Sequence, residues 1–368
     1  SKKEKHLGVH RADDGNTKST LNERVKTGRR TTYSLMGAGL HGLNGCGVKT
    51  CLQLYRIYSI PAMLHNLDAL IIEDSEFKII EDFHKYFLRQ IQHLPTSTAT
   101  PALYLLTGEL PIIAQMHIRI LNLFVRLLRR EMVEKDIIIR QLAMKRIQDK
   151  SWVVTVRKLL WKYQLPSAYH LVDSHPSKEA WKKEVLTAVH NHWLSKLRQE
   201  AGEFKTLKFL NVNACTVGKV HPVWAVNTDP QQVELATVKT KLLVQRYPLY
   251  GLSCAGKNKS NICPLCNGDA ETLPHFLLYC PTLEEHRTPL LSKITNLLLL
   301  CGPLNEDVWM QIILDASGMG LDEATFKMIE ITTRKLCFVL HHERAIFLNG
   351  NSAYSLARKR RENSICIY

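Results

Sequence analysis

Cys263-Pro264-Leu265-Cys266-Asn267-Gly268-Asp269-Ala270-Glu271-Thr272-Leu273-Pro274-His275-Phe276-Leu277-Leu278-Tyr279-Cys280 is the stretch on which the reading of this chain turns. It has the form C-x2-C-x8-H-x4-C, a metal-ligand spacing. Cys263 and Cys266 fit one tight knuckle that aims both thiolates at one ion. After the Gly268-Asp269 turn the chain returns with His275 and Cys280 at the start of an apolar helical run. Three thiolates and an imidazole at tetrahedral positions are the donor set that Zn²⁺ selects. With all four positions filled no place is left for a catalytic water, so the expectation is a structural zinc ion. Three thiolates around a divalent ion leave a net charge of about −1, which Lys257 and Lys259 just upstream help to balance. His286, or more weakly Cys254, is a possible substitute for one ligand.

Outside this stretch the chain reads as mainly α-helical. Phe77, Ile80, Phe83, Phe87 and Ile91 recur at steps of three or four and predict a helix over residues 73–93. Ile113, Met116, Ile120, Leu123 and Leu127 do the same for 112–132. Further helices are expected at 20–31, 149–163, 177–200, 289–300, 305–315 and 322–348, and over 48–64 with a stop or kink at Pro61. Asp229-Pro230 supplies an N-cap and a proline at the first helical position for a helix to about residue 247. Residues 5–9 suggest a short strand. The five glycines of 33–47 suggest a bend, and 205–221 is the least helical part.

The 368 residues are enough for two or three domains. A formal net charge of +15 is the unusual feature of the composition, and an excess of that size points to a polyanionic partner. No apolar run is long enough to cross a bilayer, and no secretory signal is visible in the Lys-rich start. Of the ten cysteines three cluster with His275 and the rest scatter, which suits a reducing compartment, nucleus or cytoplasm, rather than a secreted disulfide framework.

Phosphate contacts are expected from Arg29 and Arg30, from Arg126, Arg129 and Arg130, and from Lys239, Lys241, Arg246, Lys257 and Lys259, with Tyr247 and Tyr250 as stacking surfaces. An ordinary solvated basic face explains the last group equally well. Residues 358–361 form a basic run that suits a nuclear address, a nucleic-acid tail or a solvated end. No catalytic residue is identified. Asp13-Asp14 sits in a polar turn beside Gly15, with no apolar strand to hold a two-metal pair. His84, His117, His190 and His192 lie on helices as packed or surface residues, and the glycines of 37–47 lack the phosphate-loop pattern.

Five segments in a fixed order carry a resemblance: Lys5-His6-Leu7-Gly8-Val9; Arg29-Arg30-Thr31-Thr32-Tyr33-Ser34-Leu35-Met36; Leu54-Tyr55-Arg56-Ile57-Tyr58-Ser59-Ile60-Pro61; Leu105-Leu106-Thr107-Gly108-Glu109-Leu110-Pro111; and the Cys263 to Cys280 stretch. Together they resemble the C-terminal part of the reverse-transcriptase polyprotein of non-LTR, LINE-like retrotransposons. The resemblance implies a palm-edge strand and thumb-like helical region over 1–132, a helical linker over 133–228, a basic helix and CCHC zinc-binding domain over 229–300, and C-terminal helices with a basic tail over 301–368. It places the polymerase aspartates upstream of Ser1. The chain itself would then bind template RNA or target DNA beside the upstream reverse-transcriptase domain of the same polyprotein, which would be the RNA-directed DNA polymerase. A zinc-stabilised protein–protein interaction module is the alternative.

Overall fold

Helices carry almost all of the architecture, as the three- and four-residue apolar spacings predict. The computed structural model describes residues 3–6, 9–12, 17–41, 45–130, 132–226, 229–251, 261–299 and 304–350. Asp13, Asp14, Cys254, Lys257, Lys259 and the 358–361 run lie outside them. The chain folds as two compact units, Ser1–Ile91 with Leu103–Glu200 and Thr216–Lys219, and Gln92–Ala102 with Ala201–Cys215 and Val220–Tyr368.

In the first unit, β1 (Lys3–His6) pairs antiparallel with β2 (Val9–Ala12), so the single strand expected over 5–9 is instead a hairpin. The helix α1 (Lys18–Gly37) outruns the expected 20–31. Its buried stripe of Leu21, Val25, Gly28 and Thr32 follows helical spacing. Gly28 is there for space, because a Cβ at that position would stand 2.1 Å from the Met63 side chain.

The run predicted for 48–64 is broken into α2 (Val48–Leu54), a π-helical turn over Tyr55–Ser59, and α3 (Ile60–Leu64). Pro61 has no N–H to give to the carbonyl of Ile57, and the helix widens just before it. The helix α4 (Asp74–Gln92) buries the predicted Phe77, Ile80, Phe83, Phe87 and Ile91. His84 is buried with them: its Nδ1 is 3.0 Å from the Tyr55 hydroxyl and its Nε2 is 3.1 Å from the Leu110 carbonyl.

Next come α5 (Thr100–Thr107) and α6 (Ile112–Leu128), the latter four residues shorter than predicted. Gly108 between them has φ +65°, and a Cβ there would sit 2.2 Å from the Lys219 carbonyl oxygen. Only glycine takes both that dihedral and that approach. The helix α7 (Val133–Met144) was not foreseen, since Ile137-Ile138-Ile139 is a run without helical period. Then follow α8 (Trp152–Lys162), α9 (Ala168–Asp173) and α10 (Lys178–Gly202). Trp181 of α10 is buried and donates from Nε1 to the Leu121 carbonyl of α6 at 3.1 Å.

The second unit holds α11 (Pro222–Ala225), α12 (Pro230–Leu243), α13 (Glu284–Leu297), α14 (Glu306–Leu314) and α15 (Glu323–Gly350). The last is its axis: α12, α13 and α14 all pack against it. Helical spacing in the sequence puts Phe326, Ile329, Thr333, Leu336, Cys337 and Leu340 on one face; all but the half-buried Phe326 are buried. The helix expected to begin at Pro289 starts earlier, so that Pro289 lies inside α13, whose N-cap is Leu283. Asn305 does cap α14, its Oδ1 accepting from the Val308 N–H at 2.8 Å. Among the described residues no single helix is long and apolar enough to cross a membrane; only the bent pair of α5 and α6 passes by length and composition.

Candidate metal centre

The knuckle forms from local backbone bonds. Ile262 and Ala270 make an antiparallel bridge, and the Cys263 N–H donates to the Asp269 carbonyl at 2.9 Å. The Asn267 N–H closes the turn onto the Cys263 carbonyl at 2.9 Å. Asn267 has φ +53°, the left-handed region that asparagine tolerates best after glycine. That reversal brings Cys263 and Cys266 to one side.

The other two ligands come from a single turn of π-helix, His275–Tyr279, closed when the Cys280 N–H donates to the His275 carbonyl at 2.7 Å. The four-residue gap between His275 and Cys280 is the length of that wide turn. Thr272 Oγ1 accepts from the His275 N–H at 3.2 Å and fixes where the turn begins. Leu265, Leu273, Phe276, Leu277 and Leu283 are buried beneath it.

The Sγ atoms of Cys263, Cys266 and Cys280 and a ring nitrogen of His275 all lie within 4.8 Å of one another, a Cys₃His group able to hold a metal ion. Cys263 Sγ is 3.9 Å from Cys280 Sγ, and Cys266 Sγ is 3.4 Å from His275 Nε2. A tetrahedral ion bound at about 2.3 Å by sulfur and 2.05 Å by nitrogen requires edges of about 3.8 Å and 3.5 Å. The two measured edges fit it.

Burial pushes the Cys263 thiol up to about 12 and the Cys280 thiol upward as well. At Cys266 burial also pushes up, but the backbone N–H groups of Gly268 and Asp269, with the neighbouring thiols, outweigh it and the net shift is downward. Two buried thiols that resist losing their protons are released from that constraint by a cation between them.

Three supports hold this group, and none is in the ligand spacing. Arg287 is buried and donates to the carbonyls of Leu278 and Cys280, the latter at 2.7 Å, placing a cation behind the fourth ligand. Glu271 accepts from Arg344 of α15 and from the Tyr250 N–H at 2.6 Å. Phe276 stacks on Tyr247 with centroids 5.5 Å apart, and the Tyr247 hydroxyl is 2.7 Å from His341 Nδ1. Glu271 lies inside the quoted stretch and carries a signal; Arg287 and Arg344 carry none. His286 takes no part, standing 3.7 Å from Glu343 instead.

The expected phosphate-contacting residues divide. Arg29, Arg30, Arg126 and Arg130 are exposed, although Arg130 has Glu134 at 4.0 Å and the Arg29 guanidinium lies over the Phe83 ring at 5.5 Å. Arg129 is half-buried and donates to the Pro176 carbonyl. Lys241 and Arg246 are half-buried. Lys239 is the clear correction. It is fully buried, with Nζ 2.6 Å from Glu330 Oε2 and 2.8 Å from Thr333 Oγ1. Tyr247 is likewise interior, packed on Phe276 rather than open to a base. The start of α12 was legible, but its basic residues do not make one outward face.

The chain matches no protein-family model, no curated protein and no solved structure.

Proposed function

We propose that this chain is a nucleic-acid-binding body stabilised by one structural zinc ion, of the kind found after the polymerase in non-LTR retrotransposon reverse transcriptases. The observation that carries the reading is the +15 net charge together with arginines left exposed on α1 and α6. Arginine forks bind phosphate oxygens, position a backbone without reading bases, and release counterions as they do so. Zinc is the metal that suits the Cys₃His donor set, and with four protein ligands it has no position for a reacting water. Its part is to fix the knuckle and π-turn against Arg287 and α15. RNA or DNA is the partner, with the upstream polymerase domain of the same polyprotein and the nucleus as setting; no chemical step is assigned to this chain.

The test is salt. Affinity of the zinc-loaded chain for an oligonucleotide should fall steeply between 50 and 200 mM salt. Neutralising Arg30 or Arg126 should lower the slope of log affinity against log salt by about one each. A flat salt response overturns the reading.

A second reading rests on α7. Val133 is 69% exposed and Met144 77%, and Ile137 is exposed on the same helix face at i, i+4 and i+11. An apolar stripe of this kind suits a zinc-stabilised protein-interaction module. Under that reading Ile137→Asp abolishes partner binding and oligonucleotide affinity is negligible at every salt concentration.

A further inference from the structure

Trp161 is 85% exposed at the last turn of α8. An indole left open to this degree adds almost nothing to the fold, and its large flat face is available to a partner. The helix that carries it, Trp-Val-Val-Thr-Val-Arg-Lys-Leu-Leu-Trp-Lys over Trp152–Lys162, contains three cations and no acid. Arg157 and Lys158 stand one turn before Trp161, at i−4 and i−3, on its side of the helix.

A second layer of charge comes from α10. Lys162 Nζ lies 5.0 Å and Lys196 Nζ 5.1 Å from the centre of the buried Trp193 ring, so cations from two helices meet over one indole. Their field is felt next door. Burial, then Lys162 and Lys196, push the His192 imidazole down. On α10, Glu200 stands 3.8 Å from Lys196.

The mount is rigid. Tyr163, next in the chain, ends α8 with its hydroxyl 2.6 Å from His117 Nδ1 of α6, and accepts from Trp193 Nε1 of α10 at 2.9 Å. The residues carrying the aromatic plane and the nearby ammonium groups are therefore fixed before any partner arrives, which lowers the ordering cost of binding.

We propose that Trp161 is a base-stacking platform, with Lys158, Lys162 and Lys196 as its phosphate contacts, for an unpaired stretch of RNA or DNA. The proposal rests on the nucleic-acid reading above and deepens it, because stacking needs a base that is not already stacked in a duplex. Every base has a π-face, so the site selects single strands over duplex without selecting sequence.

The experiment uses the full zinc-loaded chain and three probes: oligothymidylate or oligouridylate, an abasic oligonucleotide of the same phosphate count, and a duplex of that length. Trp161→Ala should weaken single-strand binding by between about fivefold and a hundredfold and leave the abasic and duplex affinities, and the far-UV circular dichroism, unchanged. Trp161→Phe should restore most of the loss. The triple change of Lys158, Lys162 and Lys196 to Gln should lower the salt slope for all three probes. Equal weakening of single-stranded and abasic probes by Trp161→Ala, or no weakening, overturns the stacking role while the broader reading stands. If the wild-type chain binds none of the three, the nucleic-acid reading itself falls. Adsorption only to phosphatidylserine vesicles, lost in Trp161→Ala, would mark the patch as a membrane contact and overturn both.

Discussion

Arg344 grips Glu271 with two donors at once: Nε is 2.6 Å from Oε1 and an Nη is 2.9 Å from Oε2, with both side chains all but excluded from solvent. The guanidinium also donates to the Pro248 carbonyl at 3.0 Å and lies 5.6 Å from the centres of the Tyr247 and Tyr250 rings. A bidentate pair in this setting ties the metal-binding loop to the long axial helix of its unit. Removing one partner leaves the other charged, buried and unanswered.

Arg344→Ala is therefore expected to cost about 3–5 kcal/mol of stability, read by denaturant unfolding of the zinc-loaded chain. Zinc affinity should drop with it, because Glu271 stands four residues before His275. An unchanged midpoint would show that the pair is not coupled to the module.

Metal content gives a direct check on the centre. The purified chain should carry one zinc, and Co²⁺ substitution should give the intense charge-transfer and d–d bands of a tetrahedral thiolate-rich site. Cys266→Ala should lower the metal content, and chelation should expose the amides of residues 261–283 to hydrogen exchange, since binding energy here is folding energy. His286→Ala should leave both readouts as they are.

Lys239→Ala separates a buried cation from a surface one. It deprives Glu330 of one ion-pair partner, with Arg334 remaining at 3.0 Å. A loss of about 3–5 kcal/mol follows, with no change in the salt slope of oligonucleotide binding. Arg126→Ala should do the reverse: the slope falls and stability holds.

Acid should destabilise the first unit through His84. Burial pushes this imidazole down to about 4, against about 6.5 in an unfolded chain. Between those values the unfolded chain takes up a proton that the folded one refuses. The contribution is complete above pH 6.5 and is lost as pH falls toward 4, amounting to about 3 kcal/mol. His84→Gln should lower the neutral-pH stability and flatten the pH dependence relative to wild type, measured on zinc-loaded samples so that ligand protonation is common to both.

The metal centre was legible because all of its ligands fall within one short stretch, where spacing alone limits the geometry. The faces of α4 and α15 were largely legible for the same reason: apolar period is a local property. On α6 the spacing misplaced the face: Met116 and Ile120 are buried, but Ile113, Leu123 and Leu127 are half-buried, and Leu121, Phe124, Val125 and Leu128 point inward instead. What was not legible depends on distant partners. Lys239 looks like any helical lysine until Glu330, ninety-one positions later, is packed against it. Arg344 lies seventy-three positions from Glu271 and has no motif around it. The helix α7 escaped because its three consecutive isoleucines have no period, and only its packing through Ile138 and Leu142 reveals which side is inward.

The axial helix also sets a practical limit on dissecting this protein. A synthetic peptide of residues 261–299 would contain every sulfur and the imidazole, yet it would lack the guanidinium that answers Glu271 and the ring against which Phe276 lies. Such a peptide could be loaded with metal in a cuvette and still misreport the affinity and shape of the native loop. Excision has to reach past Arg344 at one end and begin before Tyr247 at the other.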